Sequence, residues 1–247
     1  MKIVFLGTNG WYPTPLGDTS CVLIDSEEYY VVFDSGSGIQ KLDQYVTAAK
    51  PVKLFLSHLH LDHIVGFHVF GKFNFKGDIT IYGDRGTIDG LKIIRHPYTA
   101  PFSDLRVPVE IKELNEGPHN LPFPVTCRSL VHADPCLGYR VELDGRTVVY
   151  CTDTGVCDGL YQLAEHADLL IMECSSKSGQ TSSRWPHLRP EDSANIAKSC
   201  SVKRLVLTHF DAHRYRTIEE RRSAEATARA IFPETVAAHD GLEIELQ

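Results

Sequence analysis

Along the first third of the chain the apolar positions come in short runs, at residues 2–6, 21–25 and 29–33. These runs are rich in β-branched and aromatic residues and are broken by Gly, Pro and acidic turn signals, the pattern of strands joined by hairpin-like turns. The spacing then changes. Ile39, Leu42, Tyr45 and Val46 recur with a helical period and Pro51 closes the segment, so a helix is expected over 39–49 and a strand at 52–56. A short helix over 64–70, a strand at 79–82 and a helix over 84–94 come next. Residues 96–108 (HPYTAPFSDLRVP) carry Pro97, Pro101 and Pro108, which exclude regular structure; with Tyr98 and Phe102 they read either as a lid or substrate wall, or as packing filler. Strands are expected at 109–114, 125–131, 139–143 and 147–151. Beyond Asp158 helix and strand alternate, with helices over 160–166, 191–200 and 218–231, strands at 169–173 and 205–208, and a final pair of strands. No linker, low-complexity segment or internal repeat interrupts this, so one domain over 1–247 with strands inside and helices outside is the simplest expectation.

The chemistry begins where one apolar run stops. In LFLSHLHLDHIVG, residues 54–66, four ligand-type side chains follow at once: His58, His60, Asp62 and His63. His58 and His60 alternate as on an extended chain, whereas Asp62 and His63 are consecutive at the turn into a helix, so two side chains can face one ion and two its neighbour. A solvated histidine-rich loop or a single adventitious metal site is the plainer alternative. Three further apolar strands, however, end in the same kind of group: CRSLV runs into His132, VVYCT into Asp153 and RLVLT into His209. In sheets flanked by helices, functional groups collect at the carboxyl ends of strands. One such His is ordinarily just hydrogen-bonded; four coincidences point to a metal site.

Composition narrows the classes. The 247 residues are 43% hydrophobic and 23% charged, with a formal charge of −7, which disfavours a broad nucleic-acid-coating surface. Residues 184–222 run the other way, with an excess of about four positive charges, read as a solvated helix face rather than a phosphate-facing patch. No apolar run is long enough to span a bilayer, and MKIVFLGTNG is too short for a signal-peptide core; no membrane association and a cytoplasmic location are expected. The seven cysteines form no C-x-x-C pair and are expected as reduced thiols, including Cys136 and Cys151 near the candidate ligands.

The order H-x-H-x-D-H, then His132, Asp153 and His209, resembles the metallo-β-lactamase superfamily of binuclear metallohydrolases, from the opening FLGT to the closing strands. The resemblance implies an α+β, four-layer αβ/βα sandwich, assembled as a homodimer. It also implies two divalent metal ions, zinc first, with manganese and iron open to the same ligand types. His58, His60 and His132 would hold one ion, Asp62, His63 and His209 the other, with Asp153 bridging. Two ions, two ligand carboxylates and a hydroxide leave about +1, which suits an anionic substrate. Paired ions also acidify a bound water and stabilise in-line displacement at phosphorus. Asp62 is the candidate to take that water's proton, a role as ligand alone being equally open. Asp rather than Cys at position 153, and a ligand at His63, disfavour β-lactam hydrolysis; His rather than Glu at position 60 disfavours flavodiiron chemistry.

MECSS, PHLRPEDSANIAKSC and LVLTHF resemble the ribonuclease Z (ElaC-like) branch and its small phosphodiesterase relatives. There a His at the start of a helix donates a proton to the leaving oxygen. His187 matches it, Glu173 is expected to orient either His187 or a metal-bound His, and the helix N-terminus is expected to lower the pKa of His187; capping or packing is the alternative role. Two family features are missing: the long arm that grips tRNA, and a basic loop near the N-terminus, where this chain has PTPLGDTSC. The expected activity is therefore hydrolysis of a small phosphodiester, a cyclic nucleotide or similar. A ribonuclease Z-like RNA 3′ endonuclease, a lactone or thioester hydrolase and a non-catalytic metal-binding regulator are the alternatives, and RNA is not the favoured partner. Tyr98 and Phe102 are candidates to stack on a base, and Arg184, Arg189 and Arg214 to meet a phosphate.

Overall fold

The computed structural model describes residues 1–95, 99–180 and 185–247. In chain order its strands are β1 (Lys2–Gly7), β2 (Asn9–Gly10), β3 (Cys21–Asp25), β4 (Tyr30–Phe33), β5 (Val52–Phe55), β6 (Ile79–Gly83), β7 (Val109–Glu113) and β8 (Gly117–Asn120). They continue with β9 (Pro124–Leu130), β10 (Cys136–Leu143), β11 (Arg146–Cys151), β12 (Leu169–Glu173), β13 (Leu205–Thr208), β14 (Phe210–Asp211), β15 (Thr235–Ala237) and β16 (Glu243–Glu245). The α-helices are α1 (Leu61–Ile64), α2 (Arg85–Arg95), α3 (Asp158–Ala164), α4 (Pro190–Ser199) and α5 (Ile218–Arg229).

Among these residues two seven-stranded sheets form, in the orders β16-β1-β3-β4-β5-β6-β7 and β15-β13-β12-β11-β10-β9-β8. Each begins with antiparallel strands and continues with parallel ones: β1, β3 and β4 precede β5, β6 and β7, and β9, β10 and β11 precede β12, β13 and β15. The chain thus runs through one topology twice, a repeat invisible in the sequence because the register of apolar residues, not their identity, is what recurs. The expected final strands part company: β15 extends the second sheet and β16 returns to β1 in the first.

Between the sheets, Phe33 and Phe55 meet Tyr139 and Tyr150 in a buried aromatic layer, with Phe33 stacked on Tyr150 at 4.8 Å and 8°. The outer face of the second sheet is covered by α3, α4 and α5, and that of the first by 3-10 turns and α2. This is the expected helix, sheet, sheet, helix stack. Strands such as β12 (LLIME) are buried along their whole length, which is why they read as unbroken apolar runs.

The helix expected over 39–49 is a 3-10 helix at Ser37–Gln44, and the one over 64–70 is a 3-10 helix at Val65–Lys72. Ile39 and Leu42, and Phe67 and Phe70, lie three apart, the spacing that one face of a three-residue turn buries. Strand β8 (GPHN) escapes a reading by β-propensity: its Pro118 sits on a sheet edge, where the missing N–H costs nothing. Within the Pro-rich stretch, Phe102 packs against Phe67 and Phe70 and is 5% exposed, so it is packing filler and not a base-stacking lid. Tyr98 lies outside the described residues.

Removing the aromatic layer's central ring tests how the sheets are held. Phe33→Ala should cost about 3–5 kcal/mol of unfolding free energy in urea titrations; a loss under 1 kcal/mol would mean that the two sheets do not depend on this layer.

Candidate metal centre

Six strands of the two sheets end at one rim of the sandwich and deliver the candidate side chains there. Beyond β5 the chain gives His58 and His60 and then, as α1 begins, Asp62 and His63; beyond β9, β11 and β13 come His132, Asp153 and His209; beyond β4 and β12 come Asp34 and Ser175. The seven candidate ligands meet there. Ligand-type atoms of His58, His60 and His132 lie within 4.8 Å of one another, as do those of Asp62, His63 and His209. Asp153 stands between the groups. Its Oδ2 is 3.1 Å from Nε2 of both His63 and His209, and its Oδ1 is 3.9 Å from Nε2 of His132.

Sequence reasoning missed the groups that aim these rings. Asp34, wholly buried, accepts from His63 Nδ1 at 2.8 Å, from the Ser57 amide and hydroxyl, and from the Tyr150 hydroxyl at 2.7 Å. Ser57 Oγ lies 3.0 Å from His58 Nδ1, Ser175 Oγ 2.9 Å from His209 Nδ1, and Asp134 Oδ2 2.8 Å from His60 Nε2. Each of these imidazoles thus has one nitrogen engaged and the other turned to the cluster, the usual way a scaffold fixes a ligand's tautomer and angle. The signal for Asp34 was present, since YVVF runs into it as the other strands run into the candidate ligands; serine and the exposed Asp134 carry no such signal. Backbone strain gathers here as well: Asp34, Asp153 and His209 all have φ between 51° and 59°, costing of order 1 kcal/mol each. Gly10 is required by close approach, because a Cβ there would lie 2.5 Å from the His209 ring.

Charge divides the rings. Burial, reinforced by the neighbouring imidazole of His63, pushes His58 well below the ordinary imidazole value, and burial lowers His132. Burial opposes protonation of His63 too, but Asp62, Asp153 and Asp34 surround it and raise it well above that value. Asp62 and Asp153 are held far below the usual carboxylate range: burial acts against this, and the His63 and His209 imidazoles overcome it. His187 donates from Nδ1 to Glu173 at 2.9 Å, and its ring centroid is 5.5 Å from that of His132. The expected depression by the helix N-terminus is corrected here. Burial does favour the neutral ring, but the Glu173 carboxylate outweighs it and raises His187 to about 9.

The arginines are largely committed elsewhere. Arg189 pairs with Asp192 at 2.8 Å in the first turn of α4, and Arg214 pairs with Asp211 and donates to the Ser175 carbonyl. Arg184 lies outside the described residues. All seven cysteines are free thiols, Cys136 and Cys151 buried. No helix among the described residues is long and apolar enough to cross a membrane.

Comparison with known proteins gives the family and the fold. The family model described as "Beta-lactamase superfamily domain" matches residues 29–210, and the chain belongs to that superfamily, whose members bind divalent metals, typically zinc. The probable metallo-hydrolase YhfI of Bacillus subtilis is 31% identical over 223 residues, covering 85% of this chain and 87% of the relative. The crystal structure of YhfI, a metallo-beta-lactamase fold protein, matches with a TM-score of 0.84 at 25% identity over 99% of this chain and 98% of that one. Ribonuclease Z of Bacillus licheniformis is 28% identical over 310 aligned positions, covering 100% of this chain and 99% of the relative. The short form of human tRNase Z matches with a TM-score of 0.75 at 26% identity over the full length of both chains. Because 310 positions exceed the 247 residues here, the bacterial ribonuclease Z carries segments with no counterpart in this chain.

Asp34→Asn keeps the shape but replaces one acceptor oxygen with a donor. It should weaken zinc binding about 10–100-fold in chelator competition while the far-UV dichroism is kept; unchanged affinity would remove Asp34 from the support of His63.

Proposed function

We propose that the chain is a metal-dependent phosphodiesterase in which His58, His60 and His132 hold one divalent cation, Asp62, His63 and His209 a second, and Asp153 is shared. The observation that carries this reading is the split carboxylate: each oxygen of Asp153 faces the imidazoles of a different group. Donor chemistry supports the fit. The buried His58 Nε2 has no hydrogen-bond partner among the described residues while Nδ1 of the same ring is engaged by Ser57, and an orphaned buried nitrogen is costly unless something else accepts its lone pair. His58, disposed to be neutral, has that lone pair to give.

What the cations supply when bound is Lewis acidity and a water acidic enough to ionise near neutral pH. The chain's own residues do the rest. Asp62, whose Oδ2 accepts from the Trp11 amide at 2.7 Å, is the carboxylate we assign to receive the proton of the attacking water. His187, with Nδ1 tied to Glu173, keeps Nε2 to deliver a proton to the departing ester oxygen. His187 also shares a 4.8 Å cluster with His132 and Asp153, so it sits beside the shared carboxylate rather than at the surface.

A small substrate is favoured over tRNA by what fills the N-terminal loop. In PTPLGDTSC the segment closes on itself through Thr14 and Gly17, and the Asn9 side chain donates to Tyr12, Thr14 and Gly17, leaving a compact turn without Lys or Arg. The shorter chain, lacking segments that ribonuclease Z possesses, points the same way. A ribonuclease Z-like RNA 3′ endonuclease is the second reading, resting on the full-length match to proteins of that name. Lactone or thioester hydrolysis uses the same cations on a carbonyl, and a non-catalytic regulator would be expected to have lost ligands that are all present here.

Bis(p-nitrophenyl) phosphate, assayed beside a lactone and a thioester panel with the zinc-loaded protein, should be the substrate turned over; hydrolysis confined to the carbonyl esters would contradict the phosphodiester reading. His187→Ala should slow diesters with poor alkoxide leaving groups by about 100-fold while p-nitrophenolate esters change little and metal content holds. Equal slowing of both classes, or loss of metal, would assign His187 to structure or ligation.

A further inference from the structure

The chain has two tryptophans, and both stand at the candidate metal centre. Trp185 is 43% exposed, with its ring centroid 6.0 Å from that of His60 and 6.1 Å from that of His132, at the end of the cluster formed by the first group. Trp11 is 64% exposed at the other end, where its amide donates to Asp62 Oδ2. Its backbone φ of 74° is a conformation that a bulky residue adopts only when the surroundings impose it. The Tyr12 and His213 rings flank the Trp11 indole edge-on at 5.2 Å and 6.2 Å. Leu61, flanked in the chain by His60 and Asp62, and Val131, next to His132, are exposed as well.

Isolated exposed apolar residues are ordinary, but large ones gathered round a polar cleft mark a binding surface. The Trp11 indole meets the Tyr12 and His213 rings and the Trp185 indole those of His60 and His132, and a ring that already has neighbours loses less freedom when a flat ligand stacks on it. Every nucleobase offers a π-face of this kind, whatever its sequence.

We propose that Trp11 and Trp185 are stacking platforms at opposite ends of the candidate metal centre, and that its substrates are linear phosphodiesters with a flat ring on either side of phosphorus, as in a dinucleotide. This rests on the phosphodiesterase reading and sharpens it. A cyclic nucleotide, with a single base, fills one platform only; a dinucleotide fills both.

Two esters with the same leaving group test the idea: thymidine 5′-(p-nitrophenyl phosphate), with two rings, and methyl p-nitrophenyl phosphate, with one. Trp11→Ala and Trp185→Ala should each raise KM for the thymidine ester about tenfold, with kcat and zinc content kept and Phe in place of Trp restoring most of the loss. The methyl ester should respond to only one of the two variants. Unchanged KM for the thymidine ester in either variant, or an equal fall in kcat for both esters, overturns the proposal. Binding is read separately from turnover, because Trp11→Phe and Trp185→Phe each leave one indole to fluoresce. An uncleavable dinucleoside phosphonate should quench both single-tryptophan proteins, and quenching of one or neither overturns the proposal. If both are quenched while no diester is hydrolysed, the platforms stand and the phosphodiesterase reading fails.

Discussion

A buried carboxylate, Asp34, is the interaction on which the rest of this structure depends. Closing β4 in one sheet, it receives the Tyr150 hydroxyl from the other, the amide and hydroxyl of Ser57 beyond β5, and Nδ1 of His63. A carboxylate taken wholly out of water is tolerated only when its acceptors are filled, and here they are filled by donors from both layers of the sandwich. One side chain thereby fixes the spacing of the sheets at the rim and the angle of a central imidazole. Cavity or register changes in the aromatic layer below would reach the cluster through Tyr150.

Around that anchor the environment sorts chemically identical side chains into different roles. His58 and His132, crowded by other imidazoles and buried, are disposed to be neutral; His63 and His209, beside Asp62 and Asp153, attract positive charge. Negative charge that draws protons to the second pair is also what draws cations. The pairing of His187 with Glu173 belongs to the same logic: one ring is kept charged at neutral pH, close to but distinct from rings disposed to be neutral.

Much of this was legible in the chain. Apolar runs ending in His58, His132, Asp153 and His209 gave both the strands and the rim at which they finish, because a parallel strand buried on both faces leaves an unbroken hydrophobic signature. What the sequence hid had physical reasons. The 3-10 turns at Ser37–Gln44 and Val65–Lys72 share their i, i+3 spacing with an α-helix. Strand β8 contains Gly and Pro because it lies on an edge. The doubled sheet topology left no trace, since packing requires only that apolar positions face inward. Ser57, Asp134 and Ser175 act through one hydrogen bond each, and a single polar residue in a loop has no pattern to detect. The pKa of His187 depends on Glu173, fourteen positions earlier, and so could not be judged from its own helix.

The central claim is that side chains from distant parts of the chain converge on a pair of cations. Anomalous diffraction at the zinc edge, on crystals grown from zinc-replete protein, tests it most directly. Two peaks about 3.5–4 Å apart are expected, one within bonding distance of His58, His60 and His132, the other of Asp62, His63 and His209, with Asp153 touching both. A single peak, or peaks away from these residues, would contradict the account.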